Sequence, residues 1–182
     1  MRGRDLLTLL LLCAGIASGC VRERPSREPV LVYVVRHAER ADDGATADMM
    51  QGDPPLSLQG QDRARRLAEL LRAAGLTHVH STDLVRTRST AQPVVESTGL
   101  PLELYDADDG QGLAERLEAT PGVHLVVGHS NTAPALVEAL GGDPGEPIEP
   151  LEYDRIYVVY VLPDGSAGSA LFRFGSPAGA GP

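Results

Sequence analysis

Two histidines in this chain stand among residue types that bind and transfer phosphoryl groups. His37 follows the apolar run Val30-Leu31-Val32-Tyr33-Val34-Val35 in Arg36-His37-Ala38-Glu39-Arg40, and His129 follows Val123-His124-Leu125-Val126-Val127 in Gly128-His129-Ser130-Asn131. An imidazole that attacks phosphorus must offer a neutral ring nitrogen, and the charge on the transferring group must be met by fixed donors and cations. Arginine suits the second task, because its planar fork matches phosphate oxygens two at a time and it stays charged. Arg36 supplies one fork beside His37, and Arg86, in Ser81-Thr82-Asp83-Leu84-Val85-Arg86-Thr87-Arg88-Ser89-Thr90-Ala91, is the candidate for a second. Two histidines and two arginines can hold a phosphoryl group with neither metal nor cofactor.

The elements that must position these side chains follow from pattern. Both apolar runs have the length and β-branched content of strands buried on both faces, as in a mainly parallel sheet, so both histidines fall at carboxyl ends of strands, the edge where open α/β sheets bind ligands. Ser57 can cap a helix reaching residue 74, with Ala64, Leu67, Ala68 and Leu71 on one stripe and Gly75 ending it. Residues 77–81 read as a strand, and residues 84–97 as a helix that carries Arg86 near its amino end, where free N–H groups favour an anion, and that Pro93 should kink. Residues 113–119 and 131–140 read as helices, the second capped by Asn131 with Pro134 in its first turn. Residues 156–162 and 170–174, joined across Pro163-Asp164-Gly165-Ser166, read as a hairpin. Alternating strands and helices closed by two strands predict a single three-layer α/β/α domain over residues 30–174, with a mostly parallel sheet and an antiparallel edge.

The three blocks around His37, Arg86 and His129 resemble, in content and order, those of the histidine phosphatase superfamily, in its phosphoglycerate-mutase-like branch. Arg36-His37 is similar to the Arg-His-Gly signature with Ala38 replacing glycine, Ser81 through Ala91 to the Ser-Ser-Asp-Leu-x-Arg-Ala-x-x-Thr-Ala block, and Gly128-His129-Ser130 to the third motif. The resemblance implies that His37 becomes a phosphohistidine, that Arg36, Arg86 and His129 bind the phosphoryl oxygens, and that water then releases phosphate. It also implies an acidic proton donor for the leaving group from the segment after the second block, here Leu102-Glu103-Leu104-Tyr105-Asp106-Ala107-Asp108-Asp109. Asp106 is the choice, with Glu39, Asp83, Glu103 and Asp108 as alternatives.

Other polar residues need no ligand. His78 and His80, two apart on a strand, share a face without a third partner at metal-ligand spacing and read as structural, as does His124. Arg63, Arg65, Arg66 and Arg72 read as a solvated helix face, with Asp62 to Arg66 and Arg65 to Glu69 spaced for surface ion pairs. The net charge of −9, with arginine as the sole basic residue type, repels polyanions and argues against a nucleic-acid partner. Residues 41–55, directly after the His37 block, read as a long loop, either a lid that selects the leaving group or a surface loop; closed over the pocket, its Asp42 and Asp43 would disfavour polyphosphorylated ligands.

The amino terminus carries an address. Met1-Arg2-Gly3-Arg4 is basic, residues 6–17 are almost wholly apolar but shorter than the roughly 20 residues a membrane span needs, and Ala17-Ser18-Gly19-Cys20 resembles a bacterial lipobox. The expectation is a signal peptide over residues 1–19, lipid on Cys20, a polar tether through residue 29 and a tail without buried structure over residues 175–182. Cys13 falls in the removed segment, and lipid accounts for the thiol that remains. Val21 is not the aspartate associated with inner-membrane retention, so the expected place is the periplasmic face of an outer membrane, anchored through the N-terminal lipid.

A domain with short loops favours a phosphatase acting on a small phosphorylated substrate over a mutase, whose insertions enclose a sugar-acid phosphate. The competing classes are a lipoprotein that binds phosphate or a phospho-ligand without turnover, and an envelope interaction protein with a relic pocket.

Overall fold

The computed structural model of the chain describes residues 28–43 and 52–175. The signal segment, Cys20, most of the tether, residues 44–51 of the long loop and residues 176–182 of the tail lie outside the described residues. In chain order the described elements are β1 (Val30–Arg36), α1 (Leu58–Leu71), β2 (His78–Thr82), α2 (Val85–Thr98), β3 (Leu102–Tyr105), α3 (Gly110–Ala119), β4 (Gly122–Gly128), α4 (Thr132–Ala139), β5 (Arg155–Val161) and β6 (Ala167–Arg173).

The strands form one sheet in the order β3-β2-β4-β1-β5-β6. β3, β2, β4 and β1 run parallel, while β5 and β6 add an antiparallel edge. The apolar runs of β1 and β4 are continuous because both faces are covered. Val32, Val34 and Val126 pack with Leu113, Leu117, Leu136 and Val137 of α3 and α4, whereas Val35, Leu125 and Val127 pack with Leu67, Leu71, Ala91 and Val94 of α1 and α2. This is the expected three-layer α/β/α arrangement.

Local signals set most boundaries. Ser57 caps α1, its hydroxyl accepting from the Gly60 amide, and Ala64, Leu67, Ala68 and Leu71 form the buried stripe. α1 ends at Leu71, and Gly75 follows in the left-handed region at φ 70°. α2 continues through Pro93 to Gly99, whose φ of 72° closes it. α3 starts at Gly110, three residues ahead of the expected start, because Asp109 caps it by accepting from the Gly112 amide.

Three expectations need correction. The second strand spans His78–Thr82 rather than residues 77–81, because Thr77 uses its hydroxyl and amide on Val123 ahead of the ladder. Asn131 precedes α4 but makes no capping bond with its side chain; the Thr132 hydroxyl accepts from the His129 amide at 2.9 Å, which fixes the loop ahead of the helix. Arg63 is not on a solvated face. It is 4% exposed, and its guanidinium grips both oxygens of buried Glu39 at 2.7–2.9 Å and the Phe174 carbonyl at 2.9 Å. The surface ion pair that α1 does form joins Arg65 to Asp62.

Candidate active site

The chain leaves β1 through α1 toward β2 on one side of the sheet, and leaves β4 through α4 toward β5 on the other. Their diverging connections open a crevice at the carboxyl edge between these adjacent strands, the topological switch point of the fold. Arg36 and Gly128 are register partners, and the His37 amide extends the ladder by donating to the Gly128 carbonyl at 2.9 Å. His37 and His129 therefore emerge side by side, with ring centroids 5.5 Å apart and an edge-to-face tilt of 65°.

The protonation state of His37 follows from its contacts. Its Nδ1 lies 2.8 Å from the Ala38 carbonyl oxygen. A carbonyl only accepts, so Nδ1 carries the hydrogen and the lone pair is on Nε2. Burial dominates its titration. With the positive fields of Arg36 and Arg86, it outweighs the Ala38 hydrogen bond and lowers the pKa to about 3. At neutral pH the ring is uncharged, with its lone pair on Nε2. The Ala38 amide in turn donates to the Thr90 hydroxyl at 2.9 Å, which ties the loop after β1 to α2.

The two arginines are held by the protein on one side and left open on the other. Arg36 Nη1 donates to the carbonyls of Glu149 and Glu152 at 3.0 and 2.9 Å, and Nη2 to the Tyr153 hydroxyl at 3.3 Å. Arg86 Nη1 donates to Asp53 Oδ1 at 3.2 Å, while Asp53 Oδ2 accepts from the Val85 amide at 2.7 Å. The amino end of α2 thus does receive an anion, here a carboxylate. Arg36 Nε and Arg86 Nε are both buried and have no hydrogen-bond partner among the described residues. Buried donors are rarely left unmatched, since each costs about 1–3 kcal/mol.

His129 Nε2 is 3.0 Å from the Thr82 hydroxyl, which also lies 2.9 Å from the Thr87 hydroxyl. Burial, followed by Arg86 and Arg36, lowers the His129 pKa to about 4, so this ring too is neutral at pH 7. When Thr82 donates to Nε2, the hydrogen of the neutral ring sits on Nδ1 and His129 becomes a neutral hydrogen-bond donor.

Asp106 is not brought into this group. It is exposed at the end of β3, its carboxylate accepts from the Asp108 amide at 3.0 Å, and β3 lies three strand positions from β1. At the usual spacing between strands that is about 14 Å. Glu39 is locked to Arg63, Asp83 pairs with Arg88 on the surface, and Glu103 faces His80 at 3.6 Å. Asp108 is exposed one turn beyond β3. The carboxylate that borders the crevice is Asp53, and sequence reasoning missed it, along with Thr82 and Tyr153. Thr82 could have been found, since it stands at the second serine of the Ser-Ser-Asp block; Asp53 and Tyr153 reach the site from distant loops.

His78, His80 and His124 share one face, as the spacing of the first two implies, and stack with His78–His124 and His80–His124 centroids 4.5 and 5.4 Å apart. His124 Nε2 donates to the Thr120 carbonyl at 2.9 Å, which leaves its Nδ1 to accept from His80 Nε2 at 3.1 Å.

Residues 32–107 match the sequence profile of the histidine phosphatase superfamily (branch 1), a stretch that holds Arg36, His37 and Arg86 and ends before His129. Among curated relatives, a probable phosphoglycerate mutase GpmB of Serratia proteamaculans (strain 568) is 43% identical over 68 residues, 37% of this chain and 32% of that protein. The corresponding protein of Citrobacter koseri is 38% identical over 76 residues, 42% of this chain and 35% of its own length. The match thus spans about a third of these relatives. In fold, the chain is similar to the protein histidine phosphatase SixA complexed with tungstate, with a TM-score of 0.60 and 22% identity over 79% of this chain and 96% of that one. It is also similar to a mycobacterial glucosyl-3-phosphoglycerate phosphatase, with a TM-score of 0.61 and 17% identity over 81% of this chain and 99% of that one. The profile match over residues 32–107, the similar folds and the ordered blocks meeting at one sheet edge support the histidine phosphatase superfamily, in its phosphoglycerate-mutase-like branch, as the family this chain is similar to.

Proposed function

We propose that this protein is a metal-independent phosphatase that hydrolyses a phosphomonoester through a phosphohistidine on His37. The observation that carries the reading is the pair of unmatched guanidinium donors, Arg36 Nε and Arg86 Nε, in a crevice with a nucleophilic ring nitrogen. A phosphoryl group supplies the acceptors they lack.

Catalysis on this reading begins with a phosphoryl group bound by Arg36, Arg86 and His129. His37 Nε2 forms a bond to phosphorus as the bond to the leaving oxygen breaks. Positive charge develops on the imidazole, and its Nδ1–H, already donated to the Ala38 carbonyl, stabilises that charge. Water then attacks phosphorus, the N–P bond breaks and phosphate departs, returning the neutral ring. Asp106 turns its carboxylate to the Asp108 amide, so on this reading the leaving oxygen takes its proton from water unless the loop after β3 moves. A good leaving group needs no such proton, which makes p-nitrophenyl phosphate the appropriate first substrate.

The setting is the cell envelope, on the strength of the basic and apolar segment ending at Cys20. A lipid-anchored, strongly acidic protein there suits a small envelope phosphoester, such as a phosphorylated sugar or lipid head group, and not a nucleic acid. Among the described residues no helix is long and apolar enough to cross a membrane. A second reading, a lipoprotein that binds phosphate or a phospho-ligand without turnover, is favoured by the position of Asp106. It also draws on Asp53, which already occupies Arg86 Nη1.

The test is hydrolysis of p-nitrophenyl phosphate by the purified full chain in EDTA, with His37→Ala as control. Turnover that survives EDTA and is lost in the variant supports the phosphatase. No turnover above the variant, together with a rise in melting temperature on adding inorganic phosphate, supports the binding protein. Mass spectrometry of the amino terminus, for a diacylglyceryl-modified Cys20 with residues 1–19 gone, tests the anchor.

A further inference from the structure

We propose that Tyr153 is a positioning residue that sets the Arg36 guanidinium for the phosphoryl group. The proposal rests on the phosphate-binding part of the functional reading and adds a residue that no motif marks. Tyr153 is 2% exposed, in the segment leading into β5. The Arg36 guanidinium lies over its ring, with Cζ 4.0 Å from the centroid, and the same ring is 5.9 Å from that of His37. One side chain therefore borders both the arginine and the nucleophile.

The direction of the hydrogen bonds gives Tyr153 more than a packing role. Its hydroxyl has one hydrogen, and Asp43 Oδ1 at 2.7 Å takes it, because a carboxylate can only accept. What faces Arg36 Nη2 at 3.3 Å is then the oxygen lone pair. Asp43 Oδ2 is held by the Arg40 amide at 2.7 Å, so the orientation runs from the backbone through Asp43 and Tyr153 to Arg36. Burial, and then the Asp43 hydrogen bond, raise the Tyr153 phenol above its ordinary pKa, which keeps the hydroxyl hydrogen in place.

Counting the Arg36 hydrogens shows the consequence. Nη1 uses both of its own on the Glu149 and Glu152 carbonyls, and Nη2 uses one on Tyr153. Nε–H and the second Nη2–H remain, two donors on nitrogens bonded to the same carbon, which is the pairing that bidentate oxyanion recognition uses. Without the hydroxyl, Nη2 loses the contact that fixes rotation of the fork over the ring.

Tyr153→Phe keeps the ring and its stacking on Arg36 and deletes the hydroxyl alone. The expected result, in the full chain, is a melting temperature within a few degrees of wild type. Affinity for orthovanadate and inorganic phosphate, read by calorimetry, should fall about tenfold, and kcat for p-nitrophenyl phosphate by a similar factor. Asp43→Ala should give the same loss, Asp43→Asn, which retains an acceptor, should recover most of it, and the double variant Asp43→Ala, Tyr153→Phe should be no worse than either single one. Wild-type oxyanion affinity in folded Tyr153→Phe overturns the proposal, as does a lower melting temperature with unchanged affinity. If the wild type binds phosphate but turns nothing over, the phosphatase reading fails while the affinity comparison still decides the role of Tyr153.

Discussion

The buried, uncharged state of His37 should appear as a missing acid limb. Free imidazole titrates near 6.5, and a nucleophile with that pKa would keep only about 3% of its neutral form at pH 5. In the structure burial, reinforced by Arg36 and Arg86, brings the His37 pKa to about 3, so at pH 5 nearly all of it remains neutral. Lowering the pH from 7.5 to 5 should therefore reduce kcat/KM by less than twofold on account of His37, where an unperturbed histidine would cost about thirtyfold. The assay is kcat/KM for p-nitrophenyl phosphate across pH 4–8, corrected for the separately measured ionisation of the substrate. kcat/KM is the right quantity because it reports the free enzyme, whereas a bound dianion would raise the pKa of both histidines. An acid limb near 6.5 that persists after the correction and stays when His129→Asn removes the other ring would refute the reasoning, since it would mean that the crevice is wet and His37 solvated.

Stability should decline over the same range even while activity holds. His37, His129 and His80 have pKa values lowered to about 3, 4 and 4, so below 6.5 the unfolded chain binds protons that the folded chain refuses, and each ring contributes a loss of up to about 1.4 kcal/mol per pH unit. Denaturant titrations at pH 7, 6 and 5 should show this decline, and a smaller one in His80→Asn. Breaking the buried ion pair with Arg63→Leu should lower stability by about 3–5 kcal/mol, because it strands the Glu39 carboxylate; a change under 1 kcal/mol in thermal unfolding would contradict the burial of the pair. Gly60→Ala tests the close approach of α1 to the loop after β1: a methyl there would collide with the Glu39 carbonyl oxygen, so both melting temperature and phosphate affinity should fall.

The layers of the fold could be read from sequence because β1 and β4 are buried on both faces. Val32, Val34 and Val35 alternate between two different helix pairs, and that requirement leaves the uninterrupted apolar run that marks a central parallel strand. Among the helix caps Ser57 was legible, whereas the Asp109 side chain caps α3 three residues ahead of the expected start and Asn131 makes no side-chain cap at all. Arg63 was misread because helical spacing says which residues share a face and not what crosses over it. Its ion pair comes from Glu39, 24 residues away, in a segment whose local pattern shows only a strand end.

The same distinction separates the parts of the site that were visible from those that were not. Arg36 ends β1 and His37 and His129 follow strand ends directly, so the sheet register that aligns Arg36 with Gly128 places them without help from any loop, and Arg86 is fixed by the first turn of α2. Asp53 and Tyr153 arrive from loops 16 and 116 residues beyond His37, and only the folded chain brings them to the arginines. Asp106 is the opposite case. It follows Tyr105, the register partner of Thr82, so it stands one strand from a residue that touches His129 and three strand positions from β1. Its own bonds are local: it closes a turn with Asp108 and Asp109 that leads straight into the Asp109 cap of α3. A proton donor drawn from that loop would have to break this turn, so on the proposed function the rate should depend steeply on the leaving group, much faster on p-nitrophenyl phosphate than on an alkyl phosphate. Equal rates on the two, lost in Asp106→Asn for the alkyl ester alone, would show that the loop does fold over the crevice when substrate binds.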